Sequence, residues 1–353
     1  MRLAPTATRP AANPLAGTIV RGFSRYGLIT VFVLAVFGAV LLASGKDPLK
    51  AYADTFRFTL ASAYGFSELL VRVTPLLFAA IAVALPARLG LINVGGEGQL
   101  YMGALAASAG AFQLAAAPAW ILLPVVLLLG FLGGAVWAAI PGALRAAKLV
   151  NETVSTLLLN YIPPLIVSYL IFGPWRSPEN SGFPQSPRYP KAALLPSLFD
   201  TRVHAGLLVA LAGLAAYGWL VDRTRWGVEM RAIGGNPEAA RRLGIAVPAW
   251  TVAGLALGGG FAGLAGMGEA MGIAGRLQQS LSPGYGFTGF LVAWLAGGRP
   301  LGILLMAFLF AVITAAGDIL QISQGLPYAV VNILLATILF VVLASRSAPR
   351  TSK

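Results

Sequence analysis

Few side chains in this sequence can do chemistry. The acids in or beside long apolar runs are Glu68, Glu97, Glu152, Glu269 and Asp318. An ionisable group at membrane depth is costly and marks a candidate functional site. Glu68 and Glu152 stand at the ends of runs, where a carboxylate reaching water explains them. Glu97, Glu269 and Asp318 lie deeper or near breaks, where they could serve as proton or ion sites. They are not spaced as a carboxylate pair for hydrolysis, and no nucleophile accompanies them. The sequence has no cysteine and one histidine, His204. Thiolate chemistry, disulfides and Cys- or His-rich metal sites are therefore excluded. No catalytic residue, cofactor or metal is expected, and His204 reads as a loop residue.

The most unusual stretch is Gly90-Leu-Ile-Asn93-Val-Gly95-Gly96-Glu97-Gly98-Gln99. Glycines and three polar side chains interrupt two apolar runs, and glycine weakens a helix by about 1 kcal/mol against alanine. Non-helical backbone at membrane depth is tolerated only against protein or a water-filled cavity. One reading is a broken helix beside a solute path. The other is a tight turn between two spans at the inner surface.

A second polar stretch runs Arg231-Ala-Ile-Gly234-Gly235-Asn236-Pro237-Glu238-Ala239-Ala240-Arg241-Arg242-Leu-Gly244-Ile245. Asn236 is a good N-cap with Pro237 at the first helical position. Glu238 in the first turn and the arginines in the last suit the helix dipole, and Gly244 can stop the helix. The expectation is a short amphipathic helix between two spans. It reads as a docking helix for a cytoplasmic partner, as a solvated connector, or as an interfacial helix on acidic lipid.

The elements that position these segments follow from composition. Apolar residues make up 58% and charged residues 10%, whereas a soluble domain is about one quarter charged. A soluble globule and a disordered chain are both excluded. The expected class is an all-α polytopic membrane protein. A span needs roughly 20 mostly apolar residues. Ten candidates lie at about 27–44, 67–87, 98–117, 119–143, 153–173, 204–221, 249–268, 284–297, 300–318 and 327–345. The eighth is short enough to be re-entrant or broken. The plan is a cytoplasmic tail at 1–26, a transmembrane domain at 27–345 with a polar cytoplasmic loop at about 222–248, and a cytoplasmic tail at 346–353.

The first 26 residues carry Arg2, Arg9, Arg21 and Arg25 and no acid, and no cleavage site follows, so the first run reads as an uncleaved span. With the N-terminus inside, most basic residues fall in inside loops, as the positive-inside rule requires. The net charge of +13 then marks a membrane side and not a nucleic-acid partner. Spans 2–5 and 7–10 could form two inverted halves; a plain bundle without internal symmetry is the alternative. An outside loop at about 174–203 holds Pro174, Pro178, Pro184, Pro187, Pro190 and Pro196, which stiffen it. It serves as a landing surface for an external protein or as a simple connection.

These motifs carry a resemblance. Residues 231–245 resemble the coupling loop of bacterial ABC importer permeases of the ribose and branched-chain amino acid permease family. Residues 90–99, the stretch Val150-Asn-Glu-Thr-Val-Ser-Thr-Leu-Leu-Leu-Asn160-Tyr161, the Thr74-Pro-Leu lead-in and Gly284-Tyr-Gly-Phe287 look like its nucleoside, or simple-sugar, branch. The likeness covers about residues 65–345. It implies a ten-helix permease in the bacterial inner membrane, both termini cytoplasmic, without catalysis of its own. Its implied partners are a cytoplasmic ABC ATPase, a second homologous permease, an external substrate-binding lipoprotein and membrane lipid. The solute is a nucleoside or sugar. The sequence lacks a Gly-x-x-x-x-Gly-Lys-Ser/Thr loop, so ATP chemistry is expected on a separate subunit.

Asn93, Glu97, Gln99, Asn160, Phe287, Phe290 and Trp294 are the candidates for the substrate path, the aromatics as stacking groups. Arg231, Gly234, Gly235, Asn236, Pro237, Glu238, Ala239, Ala240, Arg241 and Gly244 are the candidates for ATPase coupling. The alternative is a stand-alone secondary transporter or channel using Glu97, Glu269 and Asp318.

Overall fold

The computed structural model describes residues 35–178, 183–325 and the positions 329, 333, 336 and 337. The expected N-terminal tail, the start of the first span, most of the last span and the C-terminal tail lie outside the described residues. Among the described residues the chain is helical, without strands beyond two isolated bridges, Gln185–Gln278 and Ser197–His204.

Helical residues 35–43 are followed by α1 (Pro48–Thr59), α2 (Ala63–Ala87), α3 (Gly96–Gln113) and α4 (Ala119–Ala146). Next come α5 (Glu152–Leu158), α6 (Ile162–Phe172), α7 (Gly206–Arg223), α8 (Arg225–Gly235) and α9 (Pro237–Arg242). The last are α10 (Val247–Gly268), continued by a π-helical turn Glu269–Ala274, then α11 (Tyr285–Ala296) and α12 (Pro300–Gln324).

Six helical stretches among the described residues are long and apolar enough to cross a membrane: Ala63–Ala87, Ala119–Ala146, Glu152–Phe172, Gly206–Arg223, Val247–Ala274 and Pro300–Ser323. They coincide with six of the ten expected spans. The third expected span is α3, which is shortened and enriched in glycine and polar residues. The eighth is α11, whose 12 residues rise about 18 Å, well short of the hydrocarbon thickness. Helix α1 was not expected: Lys50, Asp54 and Arg57 interrupt its apolar residues, so a search for spans passes over it. The fifth expected span is broken at 159–161, where Pro163 and Pro164 open α6 and lack the amide hydrogens that would continue α5.

By contact the chain divides into two units: Thr55–Ala316, and Met1–Asp54 with Gly317–Lys353. This division does not follow the two expected halves. In the second unit the Phe37 ring lies 6.3 Å from that of Tyr52. In the first, α2 is the central helix, apolar on all sides and buried along nearly its whole length. A helix of that kind belongs in a core, and it packs against α7, α10 and α11.

Helix α10 packs along α4 and α3 through glycines. A Cβ at Gly263 would strike the backbone of Gly130, and one at Gly266 would strike the carbonyl of Leu100. Small residues let membrane helices approach closely and gain dispersion contacts. The outer faces of α4 and α6 carry exposed Trp120, Leu128, Val136, Leu165 and Tyr169, the surface expected where lipid replaces water.

Candidate functional site

The 90–99 segment is the structural break expected from its glycines. Gly90 adopts φ 75° and turns the chain back after α2. Asn93 then lies beside α2, with Nδ2 donating to the carbonyl of Ala82 at 3.1 Å. Ala82 is five residues from the end of α2, so the break reaches about 7 Å back along that helix at 1.5 Å per residue.

Side chains satisfy the backbone of this non-helical stretch, as burial demands. Asn93 and Gln99 form a reciprocal amide pair. Asn93 Nδ2 donates to Gln99 Oε1 at 3.0 Å, and Gln99 Nε2 donates to Asn93 Oδ1 at 2.9 Å. Asn93 Oδ1 also accepts from the Gly95 amide at 3.0 Å. Asn160, from the break between α5 and α6, accepts from the Gly98 amide and donates to the Val94 carbonyl, each at 2.8 Å. Thr156 Oγ1 accepts from the Val94 amide at 3.2 Å. The structure thus brings Asn93, Gln99 and Asn160 into one buried knot whose polar groups bind protein atoms.

Glu97 extends the knot to α11. Its Oε2 accepts from the Gly286 amide at 2.8 Å, and Ser282 Oγ accepts from the amides of Gly284 and Tyr285 at 3.1 and 3.0 Å. The amides of Tyr285 and Gly286, which open α11 and have no partner within the helix, are thereby satisfied. The close approach requires glycine: a Cβ at Gly286 would collide with the backbone of Gly96 and Glu97. Phe290 and Trp294 stack on α11 at 5.8 Å, and Phe287 and Trp294 are exposed. Ser282 and Thr156 escaped sequence reasoning, because a lone hydroxyl carries no positional signal.

The 224–245 segment forms two short helices. Asn236 Oδ1 accepts from the amides of Glu238 and Ala239 at 3.1 and 3.0 Å. Pro237 opens α9, and Glu238 accepts from Arg241 at 2.8 Å. At the other end Gly244 adopts φ 82°. Gly244 N donates to Arg241 O and Ile245 N to Ala240 O, the paired bonds of a Schellman stop. Ala240 is buried, whereas Pro237, Glu238 and Ala239 face outward. In α8 Arg231 donates to the Val221 carbonyl. Arg225 donates to Glu229 at 2.8 Å, and Trp250 Nε1 donates to the other Glu229 oxygen at 2.8 Å. These bonds, Arg225's first, hold the Glu229 carboxyl below its ordinary range. Gly235 has open space around it, but a Cβ at Gly234 would meet the Arg88 carbonyl.

The remaining acids differ from expectation. Neither Glu68 nor Glu152 simply reaches water. Glu152 is nearly buried, pairs with Arg145 at 2.9 Å and accepts from the Ile92 amide at 3.4 Å. Glu68 pairs with Arg202 at 3.0 Å. In each case an arginine lies within reach. Glu269 is buried in the π-helical turn. Asp318 lies on α12, in the other contact unit. Among the described residues no group of three His, Cys, Asp or Glu side chains could hold a metal ion.

The proline-rich loop is fastened to the end of the π-helical turn. Ser186 N donates to Leu277 O, Tyr189 N to Gly275 O and Leu195 N to Met271 O, at 3.0, 3.0 and 3.1 Å. His204, in the loop that precedes α7, accepts at Nδ1 from the Gly206 amide at 3.1 Å. Burial pushes its imidazole down to about 4.

The sequence family described as "Branched-chain amino acid transport system / permease component" matches residues 65–343. The chain is 39% identical over 329 residues to the glucose ABC transporter permease protein TsgB13 of Haloferax volcanii, covering 90% of this chain and 86% of that protein. It is 31% identical to the guanosine ABC transporter permease protein NupP of Bacillus subtilis, covering 88% and 90%. It is 29% identical to the nucleoside ABC transporter permease protein NupB of Lactococcus lactis subsp. cremoris, covering 88% and 87%.

Proposed function

The chain belongs to the family of permease components of branched-chain amino acid transport systems, and on that premise we propose that it is a permease subunit of an ATP-driven ABC importer for nucleosides or simple sugars. It is a multi-pass membrane protein and forms the transmembrane path. It works with a separate cytoplasmic ATPase, a second homologous permease and an external substrate-binding lipoprotein. The basic face carrying α8 and α9 is cytoplasmic, and both termini lie on that side.

The observation that carries this reading is α9. It is capped at both ends by its own side chains and glycine, and it turns Pro237, Glu238 and Ala239 outward. A helix of six residues is not stable alone, so this one is a preformed projection held by its caps. ATP-driven closure of the ATPase pair pushes on it, and the spans alternate between states of different solute affinity. Asn93, Glu97, Gln99 and Asn160 hold the broken helix open beside the path. Phe287, Phe290 and Trp294 supply apolar and stacking surface along it.

The test is uptake of labelled guanosine, glucose, ribose and xylose, in competition, by cells with and without this gene. Loss of guanosine or glucose uptake on deletion, restored by the gene, supports the reading. Unchanged uptake of all four would refute it. Full uptake in the triple variant Asn93→Ala/Glu97→Ala/Gln99→Ala would refute the placement of the knot beside the path.

A further inference from the structure

Arg88, just beyond the end of α2, touches three other elements. Its Nη2 donates to the Gly298 carbonyl at 2.7 Å and its Nε to Tyr217 Oη, on α7, at 3.2 Å. Tyr217 Oη donates in turn to the same Gly298 carbonyl at 2.7 Å. Gly297 and Gly298 both adopt left-handed backbone, φ 62° and 67°, and form the turn that ends α11. The guanidinium therefore stands at the negative pole of the α11 dipole, where a cation is favoured. The third contact is made by the backbone. The Arg88 carbonyl and the Gly90 amide lie against Gly234 so closely that no Cβ fits there. Gly234 is two residues before Asn236, the N-cap of the docking helix.

The other end of α11 is fixed by Glu97 at Gly286, and Gly289 in between lies against Ala79 without room for a Cβ. Helix α11 is therefore a strut. One end meets the docking segment through Arg88, and the other meets the 90–99 break through Glu97. A packed, hydrogen-bonded chain of this kind transmits displacement because neither the glycine contacts nor the short bonds can yield independently.

We propose that Arg88 is the positioning residue through which movement of the docking segment reaches α11 and, along it, Glu97. The inference rests on the importer reading and adds the route by which the push travels. Arg88 touches neither solute nor nucleotide. Without its side chain, α8 and α9 still receive the ATPase, but the end of α11 no longer follows them.

The experiment uses the whole transporter, purified by a tag on this chain and reconstituted in vesicles. ATP hydrolysis and uptake of guanosine and glucose are measured on the same samples. In Arg88→Ala the expected result is ATP hydrolysis within about twofold of wild type, with uptake per ATP lowered about tenfold or more, the scale of one charge-assisted hydrogen bond. Arg88→Lys, which can still donate to Gly298, should recover a substantial part of the ratio. If Arg88→Ala does not assemble, Tyr217→Phe decides: it keeps the ring and removes only the hydroxyl, and it should lower the same ratio severalfold.

An unchanged uptake-to-ATP ratio in Arg88→Ala, or in Tyr217→Phe where that variant decides, would overturn the proposal. So would a parallel loss of both activities in assembled protein, since that is what a purely structural arginine would give. A wild-type complex that hydrolyses ATP without any uptake of either solute would instead overturn the importer reading, and this inference with it.

Discussion

The carboxylate of Glu97 accepts the amide hydrogen of Gly286 at 2.8 Å, across 189 positions of sequence. Glu97 lies in the first turn of α3, and Gly286 in the first turn of α11. Two helix N-termini, each with partial positive charge, thus converge on one acidic side chain. Removing the carboxylate leaves the buried Gly286 amide without an acceptor, at about 1–3 kcal/mol. Glu97→Ala should therefore lower the thermal unfolding temperature of the detergent-solubilised protein. Glu97→Gln, which keeps an oxygen acceptor, should lose less. Equal unfolding temperatures for Glu97→Ala and wild type would show that the bond does not hold the two helices.

Glycine is required on the other side of that contact. A Cβ at Gly286 would meet only backbone, which cannot rotate away. Gly286→Ala should destabilise by about 1–3 kcal/mol, as overpacking does, and reduce the yield of monodisperse protein on size exclusion. Gly235, with nothing nearby, is the control. Gly235→Ala should be neutral or slightly stabilising, because alanine favours the helix.

Helix α9 depends on its cap. Asn236→Ala removes the acceptor for two amides and should cost about 1 kcal/mol locally. Glu238→Trp places bulk on an exposed face. Both variants should insert and accumulate normally while solute uptake falls severalfold. Normal uptake with normal accumulation in Glu238→Trp would remove α9 from the coupling route.

His204 gives a pH signature. Its imidazole falls from an ordinary value of 6.5 to about 4 because it is buried. The folded protein therefore binds fewer protons than the unfolded chain between those values, and stability rises with pH there. The contribution is complete above about pH 6.5, declines as pH drops to about 4 and amounts to roughly 3 kcal/mol. His204→Gln should flatten the dependence of unfolding temperature on pH between 4 and 6.5. An undiminished slope would assign the effect to other groups.

What was legible in the sequence was what local chemistry determines. Asn236, Pro237, Glu238 and Gly244 specify start, polarity and stop within ten residues, and the structure reproduces each. The short apolar run at 284–297 was legible as too brief for a full span. The glycines of 90–99 announced a break. The partners of that break were not legible, because Asn160, Thr156 and Gly286 reach it from other helices and no spacing rule connects them. Arg88 is one of several basic residues next to an apolar run, and its two acceptors lie far off in sequence, at Tyr217 and Gly298. The π-helical turn at 269–274 follows a glycine-rich apolar helix with no local sign of the change, and α1 was hidden by its mixture of charge and apolar residues.

The energy source tests the central claim most directly. Uptake of labelled guanosine and glucose would be followed in cells expressing the complete transporter, with the proton gradient dissipated while ATP is maintained, and again with ATP depleted. The account predicts uptake that survives loss of the gradient and stops with ATP. Uptake that collapses with the gradient while ATP remains high would contradict it, and would return Glu97, Glu269 and Asp318 to the role of ion sites in a secondary transporter.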